Sequence, residues 1–243
     1  MNIFSKFIDI IYPPRCHLCR RFLGDREHES LHFCDDCLGK FEVIRPPLCP
    51  VCGRPFESLT EEDHLCGLCI RKRPFYDGLG SPYLYEGGIM EAIHQLKYGG
   101  KTYLAGSLGI LLASFATGWL GNIDNCLVMP VPLHRKRLRE RGFNQSLLLA
   151  KVVRRLLCWK LDYLSLRRTR YTRPQTGLDS DERSKNVRQA FDLVHPREFS
   201  GKIVVLVDDV ATTGNTMNEC ARVLKKARCD KVFCLTLART AGY

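Results

Sequence analysis

The chain has 243 residues, of which 45% are hydrophobic and 26% charged, a composition that supports a folded core and excludes a disordered or fibrous chain. Its formal net charge of +11 turns attention to anionic partners. The most apolar stretch, residues 104–122, carries four glycines and two serines, whereas a membrane span needs about 20 predominantly apolar residues, so it reads as a core helix and no membrane span is expected.

In chain order, Phe4, Phe7, Ile8 and Ile11 stand at helical spacing and predict a short N-terminal helix; with no basic leader or cleavage site, the expected location is cytoplasmic. Thirteen cysteines follow, eight of them in four C-x-x-C pairs: Cys16 and Cys19, Cys34 and Cys37, Cys49 and Cys52, Cys66 and Cys69. In a reducing compartment such spacing points to thiolates around tetrahedral zinc, not to disulfides. Two structural zinc ions are expected, the simplest pairing being sequential (16, 19, 34, 37 and 49, 52, 66, 69), with an interleaved pairing left open. Four thiolates leave no open position for catalysis, and a redox role for one pair is the lesser alternative. Cys126, Cys158, Cys220, Cys229 and Cys234 stand singly and are expected as packed thiols.

Near residue 76 turn chemistry gives way to alternating strand and helix signals, which divides the chain into a 1–76 double zinc-ribbon module and a 77–243 domain. The expected elements are a strand over 81–87, helices over 88–98 and 102–117, a buried strand over 125–132 and an amphipathic helix over 144–157 capped by Asn144. A strand over 202–210, a helix over 215–227 and a strand over 231–239 complete them. Such alternation predicts an α/β fold with a parallel sheet and helices on both faces, preceded by the small zinc module.

The segment VVLVDDVATTGNT, residues 204–216, ends an apolar strand on Asp208 and Asp209 and continues into hydroxyls and a glycine. In parallel sheets ligands bind beyond the carboxyl ends of strands. Thr212, Thr213, Gly214, Asn215 and Thr216, with the free N–H groups of the next helix, suit a phosphate. The two carboxylates would repel that phosphate; they suit ribose hydroxyls or a magnesium ion carried by a pyrophosphate. Together these describe phosphoribosyl pyrophosphate. The bland alternative for the acids is a solvated strand end.

This segment resembles the phosphoribosyl-pyrophosphate motif of type I phosphoribosyltransferases. IHQLKYGGKTYLA, VPLHRKRLRERGFNQSLLLA and TRPQTGLDSDERSKNVRQAF, with the cysteine-rich front end, resemble the ComF family, related to GntX-type proteins. The resemblance implies a type I phosphoribosyltransferase-like sheet that binds phosphoribosyl pyrophosphate with Mg and transfers its phosphoribosyl group to an unidentified acceptor. Asp208 and Asp209 would hold the ribose hydroxyls and Thr212 to Thr216 the 5′-phosphate. Arg135, Lys136, Arg137, Arg139 and Arg141 would stand where such enzymes keep a pyrophosphate-binding loop. Residues 168–190, with Thr172, Gln175, Arg183, Asn186 and Arg188, would form a closing loop, Arg183 acting at the reaction and Gln175 on the substrate. The hood over the acceptor is left open between residues 80–120, the zinc module and nothing at all.

The resemblance also implies a link to single-stranded DNA uptake in competent bacteria, and through it an accessory protein that binds single-stranded DNA or competence helicase machinery. Residues 133–188 hold 16 basic and 5 acidic side chains, whereas residues 1–77 hold 11 basic and 12 acidic ones, so the basic segments and not the zinc module suit a phosphate backbone. Aromatic side chains are not interleaved regularly among these cations, which lends the DNA reading modest support. A homodimer is left open.

Overall fold

A computed structural model describes residues 13–23, 31–56, 62–123, 125–171 and 188–241. The expected N-terminal helix and the positions Gln175 and Arg183, with Thr172 and Asn186, lie outside the described residues.

Two short helices belong to the cysteine-rich part, α1 (Asp35–Leu38) and α2 (Gly67–Arg71). Then come β1 (Gly78–Gly80), β2 (Tyr83–Leu84), α3 (Gly87–Tyr98), α4 (Leu104–Leu120) and β3 (Leu127–Pro130). The chain continues through α5 (Arg135–Arg141), α6 (Gln145–Leu156), β4 (Lys160–Leu161), β5 (Leu166–Arg168) and β6 (Phe191–Leu193). It closes with β7 (Ile203–Ala211), α7 (Asn215–Lys226) and β8 (Lys231–Arg239).

The six-stranded sheet runs β1-β8-β7-β3-β4, with β2 also on β8, and each of its pairings is parallel. β7 is central because its sequence can be buried on both faces. Val205 and Val207 join the core on the side of α3, α4 and α6, while Val204 and Leu206 join the core that contains Met217 and Ala221 of α7. The sheet thus carries helices on both faces. β5 and β6 form a separate antiparallel hairpin, Arg168 opposite Phe191.

Residues 135–141, expected as a loop, form a helix: the His134 side chain accepts the Lys136 N–H at its start and Gly142 closes it at φ 81°. With one leucine among seven residues it carries no apolar stripe to announce it. The expected strand over 81–87 is instead β1 and β2, interrupted at Ser81 and Pro82. Four of the five single cysteines are buried as expected, but Cys158 is exposed, in a positive-φ turn (55°) between α6 and β4.

The two knuckles repeat one design. Arg15 bridges Phe22 around Cys16 and Cys19, and Leu48 bridges Pro55 in the same register around Cys49 and Cys52. In each the residue after the second cysteine has positive φ, Arg20 at 66° and Gly53 at 65°. Only the second must be glycine, since a Cβ there would lie 2.4 Å from the Leu79 carbonyl oxygen.

Both knuckles are built into the sheet's own packing. Phe33 and Phe41 share a core with Ile89 and Ile93 of α3 and Leu104 of α4, and Phe41 meets Tyr83 edge to face at 5.4 Å. On the other side Leu79 donates its N–H to the Val51 carbonyl at 2.9 Å, and the buried Arg239 guanidinium donates to the Cys52 carbonyl.

Helix α4 packs on α6 through Gly109, where a Cβ would stand 2.5 Å from the Val152 Cβ; at Gly118, in the same helix, a Cβ would meet nothing. Gly109→Ala should therefore destabilise the protein, overpacking at about 1–3 kcal/mol outweighing the gain in helix propensity. Gly118→Ala should instead stabilise it by about 0.5–1 kcal/mol. Urea unfolding of the two variants measures the difference in sign.

Candidate functional site

Asp208 and Asp209 lie on the last turnless stretch of β7, where its carboxyl end meets the opening of α7. Asp208 is half-buried, and its carboxylate accepts a 2.6 Å hydrogen bond from the Ser146 hydroxyl at the start of α6. Burial pushes its pKa up, and the Ser146 bond and the nearby Lys97, Arg168 and Arg141 charges pull it back only in part. Asp209 is 3% exposed and forms an ion pair with Lys97 Nζ at 2.5 Å, the lysine coming from the last turn of α3. Burial draws the Lys97 pKa down to about 8, against the attraction of Asp208.

The turn behind the acids is set by Gly214, at φ 73°, which caps α7 and leaves the helix's first N–H groups facing the turn. The Thr213 hydroxyl accepts from Asn215 N–H at 3.4 Å. Thr212, Thr213, Asn215 and Thr216 are all half-buried, so their polar groups reach a partly dehydrated space. Twelve residues of helix dipole point their positive end there, which favours an anion.

The basic residues divide. Arg137 and Arg141 line a cavity of about 340 Å³ together with Lys97, Tyr98, Phe143 and one carboxylate, Glu140. Arg141 donates to Gln145 Oε1 at 2.5 Å and lies over the Tyr98 ring at 5.2 Å. Arg135, Lys136 and Arg139 are exposed on α5 and do not line this cavity; Lys136 instead stands 4.8 Å from the Tyr171 ring centroid. The sequence does not mark Lys97 and Ser146 as site residues, although both lie in segments that carry the family resemblance, IHQLKYGGKTYLA and VPLHRKRLRERGFNQSLLLA. Their contacts to the acids join distant parts of the chain, which spacing does not reveal.

The eight paired cysteines gather as two groups of four in sequential, not interleaved, order, with the sulfurs of each group within 4.8 Å of one another. Tetrahedral zinc with bonds of about 2.3 Å spaces its sulfurs about 3.8 Å apart. The 3.6 Å separations of Cys19 from Cys34 and of Cys52 from Cys66 are close to that spacing. Backbone N–H groups already serve the sulfurs: Cys34 N–H points to Cys16 Sγ at 3.5 Å and Cys66 N–H to Cys49 Sγ at 3.4 Å. Burial raises the Cys16 and Cys49 thiols, but such N–H donors bring both down to about 7. Both sites fit structural zinc, each with four protein ligands and no open position.

A parallel α/β domain with an acid pair and a glycine turn at the end of its central strand, fronted by two four-cysteine knuckles, defines a class: a phosphoribosyltransferase-type domain joined to a double zinc ribbon. Family comparison agrees, matching residues 7–70 to the double zinc ribbon domain and residues 145–242 to the phosphoribosyl transferase domain. The DNA utilization protein YhgH of Escherichia coli is 37% identical over 232 residues, covering 92% of this chain and 96% of that protein. Competence protein F of Haemophilus influenzae is 29% identical over 220 residues, covering 85% and 96%. The chain belongs to the ComF family. Among solved structures, the hypoxanthine-guanine phosphoribosyltransferase of Schistosoma mansoni in complex with IMP is 16% identical, with a TM-score of 0.32 over 56% of this chain and 57% of that one.

Metal analysis of protein purified without chelator should return two zinc ions per chain. Because the knuckles share both cores with the sheet, chelation should lower the melting temperature of the whole chain and not release a separate early transition; calorimetry distinguishes the two.

Asp208→Asn should keep the Ser146 bond and remove a charge that burial penalises. A carboxyl whose pKa is raised in the folded protein is destabilising once ionised, and that penalty is lifted as pH falls through the raised pKa. The variant should therefore melt higher than wild type at neutral pH, the gap closing on acidification, as thermal melts across pH will show.

Proposed function

We propose that the protein binds phosphoribosyl pyrophosphate with Mg²⁺ and transfers the phosphoribosyl group to a nucleophilic acceptor. The observation that carries this reading is the carboxylate pair near the carboxyl end of β7, Asp209 buried and Asp208 half-buried, just ahead of the turn at the N-terminus of α7. Carboxylates accept hydrogen bonds from the two ribose hydroxyls, and the Thr212 to Thr216 turn receives the 5′-phosphate. Arg137, Arg141 and Lys97, lining one cavity, suit the pyrophosphate. Arg183 and Gln175 would act from within residues 168–190.

In the reaction the bond from the anomeric carbon to the pyrophosphate oxygen breaks and a bond to the acceptor forms, the acceptor's proton leaving with it. Positive charge develops on the ribose and negative charge on the departing pyrophosphate. Magnesium arrives as part of the substrate and neutralises the pyrophosphate; the chain contributes cations against the leaving group and carboxylates that fix the ribose. No side chain need act as a strong base at the anomeric carbon.

A second reading, an accessory role in the handling of single-stranded DNA during competence, is favoured by the names of the relatives, DNA utilization protein and competence protein F. Arg135, Lys136 and Arg139 are exposed along α5, away from the cavity, and would serve a phosphate backbone.

Calorimetric titration with phosphoribosyl pyrophosphate and Mg²⁺ should show binding to wild type. In Asp208→Asn/Asp209→Asn the affinity should fall at least about a hundredfold, two charge-assisted contacts being lost. Wild-type affinity in that double variant would sink the assignment. Pyrophosphate release in a screen of bases and amines then tests transfer. Single-stranded DNA binding that falls steeply with salt, and that is lost when Arg135, Lys136 and Arg139 are changed to Gln, would support the second reading.

A further inference from the structure

The two four-cysteine sites differ in exposure. All four cysteines of the second are buried, whereas in the first Cys16, Cys34 and Cys37 are buried and Cys19 is exposed. The cause lies one residue further along. In the second knuckle Gly53 approaches the Leu79 carbonyl and the Cys52 carbonyl accepts from the buried Arg239, so β1 and β8 cover Cys52. In the first knuckle Arg20 stands in the place of Gly53, and a side chain there bars so close an approach. That knuckle leans on α4 through His17 instead, which shares a 3.0 Å hydrogen bond with the Ser107 hydroxyl and meets the Tyr103 ring edge on at 4.7 Å. Arg20 itself is exposed, over the Tyr103 ring at 5.2 Å, and the turn after Cys19 stays at the surface with it.

Access is what separates the two sites chemically, since zinc in either one keeps its sulfurs as thiolates. Cysteine oxidation follows thiolate character and exposure, and Cys19 has both. It also has a second sulfur within reach, for the fully buried Cys34 Sγ lies 3.6 Å away. A disulfide holds its sulfurs at about 2.05 Å, so closure takes a shift of about 1.5 Å, within the range of side-chain rotation.

We propose that Cys19 is a site of reversible oxidation by hydrogen peroxide, which closes a disulfide to Cys34 and releases zinc from the first knuckle only. The Cys19 thiolate attacks one peroxide oxygen: the S–O bond forms, the O–O bond breaks, and the departing hydroxide takes a proton to become water. The Cys34 thiolate then attacks the Cys19 sulfur: the S–S bond forms, the S–O bond breaks, and a second hydroxide leaves as water. Two thiolates have lost two electrons, the peroxide has gained them, and two solvent protons have been consumed. The first site, left with two thiolates, no longer holds its metal, while the buried second site keeps all four ligands. The brace that loosens is the one on α3 and α4, where Phe33, next to Cys34, and Phe41 pack on Ile89, Ile93 and Leu104. This holds whether or not the acid pair binds phosphoribosyl pyrophosphate.

The test is hydrogen peroxide treatment of the zinc-loaded full chain carrying Cys158→Ser, which removes the other exposed thiol. Zinc release is followed with a chromogenic chelator, and disulfides are mapped by peptide mass spectrometry. One zinc per chain should leave at least about tenfold faster than the second, because the reaction follows access to the thiolate. At the end of that phase a Cys19–Cys34 disulfide should be present, Cys49, Cys52, Cys66 and Cys69 should be unmodified, and dithiothreitol with added zinc should restore two metals per chain. Cys19→His keeps a zinc ligand and removes the reactive sulfur, so it should retain two zinc ions and lose the fast phase. Cys52→His, the matching change in the second knuckle, should leave the fast phase in place. If Cys19→His returns fewer than two zinc ions, the order of release and the mapped disulfide in the parent chain decide alone. Equal rates of release, first loss from the second site, a disulfide that omits Cys19 or joins it to a cysteine other than Cys34, or a fast phase that survives Cys19→His would each overturn the proposal.

Discussion

Two carboxylates at the end of a strand buried on both faces must be neutralised, and the surroundings of β7 are arranged around that requirement. Lys97 reaches Asp209 from the end of α3, and Ser146 reaches Asp208 from the start of α6. A buried charge left alone would cost several kcal/mol, so the ends of these helices are constrained by the acids as well as by their apolar faces. The α3 helix ends at Gly99, just after placing its lysine, and α6 begins at the Asn144 cap, just before placing its serine. In each case the polar contact falls within the terminal turn, so the helix body remains free to pack.

The zinc ribbons obey a related constraint. Knuckles of this size bury little surface by themselves, so the metal and the neighbouring sheet must supply their stability. The chain meets this by splitting the pair. The first knuckle covers α3 and α4 through Phe33 and Phe41, and the second covers β1 and β8 through Val51 and Arg239. Gly53 is the residue that permits the second contact, since any side chain would collide with the Leu79 carbonyl. The domain that carries the acid pair and the double zinc ribbon therefore share cores on both sides of the sheet.

Much of this was legible in the sequence because the relevant signals are local. A nine-residue apolar strand ending in two acids gave β7 to within a residue, 202–210 against Ile203–Ala211, and the Asn144 cap fixed the start of α6. Cysteine spacing located the metal ligands. What stayed hidden depends on contacts between distant segments or on elements too short to show a period. Helix α5 has a single leucine, and the β5–β6 hairpin has three residues per strand. Lys97 reads as an ordinary basic residue in the last turn of a helix, where it would favour the dipole anyway. Only the fold brings it to Asp209. The same holds for Arg54 and Arg73, which spacing leaves as surface charge and the fold places beside the turn at Gly214.

The cations near the acids and the turn fall into two sets. The carboxylates lie on β7 before it, Lys97, Arg137 and Arg141 share one cavity, and Arg54, Lys72, Arg73 and Arg239 share another. If the cations of both cavities stood beside the acids, they would pair with them and leave no charge for a ligand. The zinc ribbon holds Arg54, Lys72 and Arg73 on a separate wall, and none of them lines the cavity that contains Lys97. On the side of the acids a single lysine, with its pKa drawn down to about 8 by burial, pairs with one carboxylate and leaves the second to a hydroxyl. That second carboxylate is held by a neutral donor, so a ribose hydroxyl or a cation can replace Ser146 there without first breaking an ion pair. On the proposed reading, Asp208 is therefore the acid that a ligand engages first.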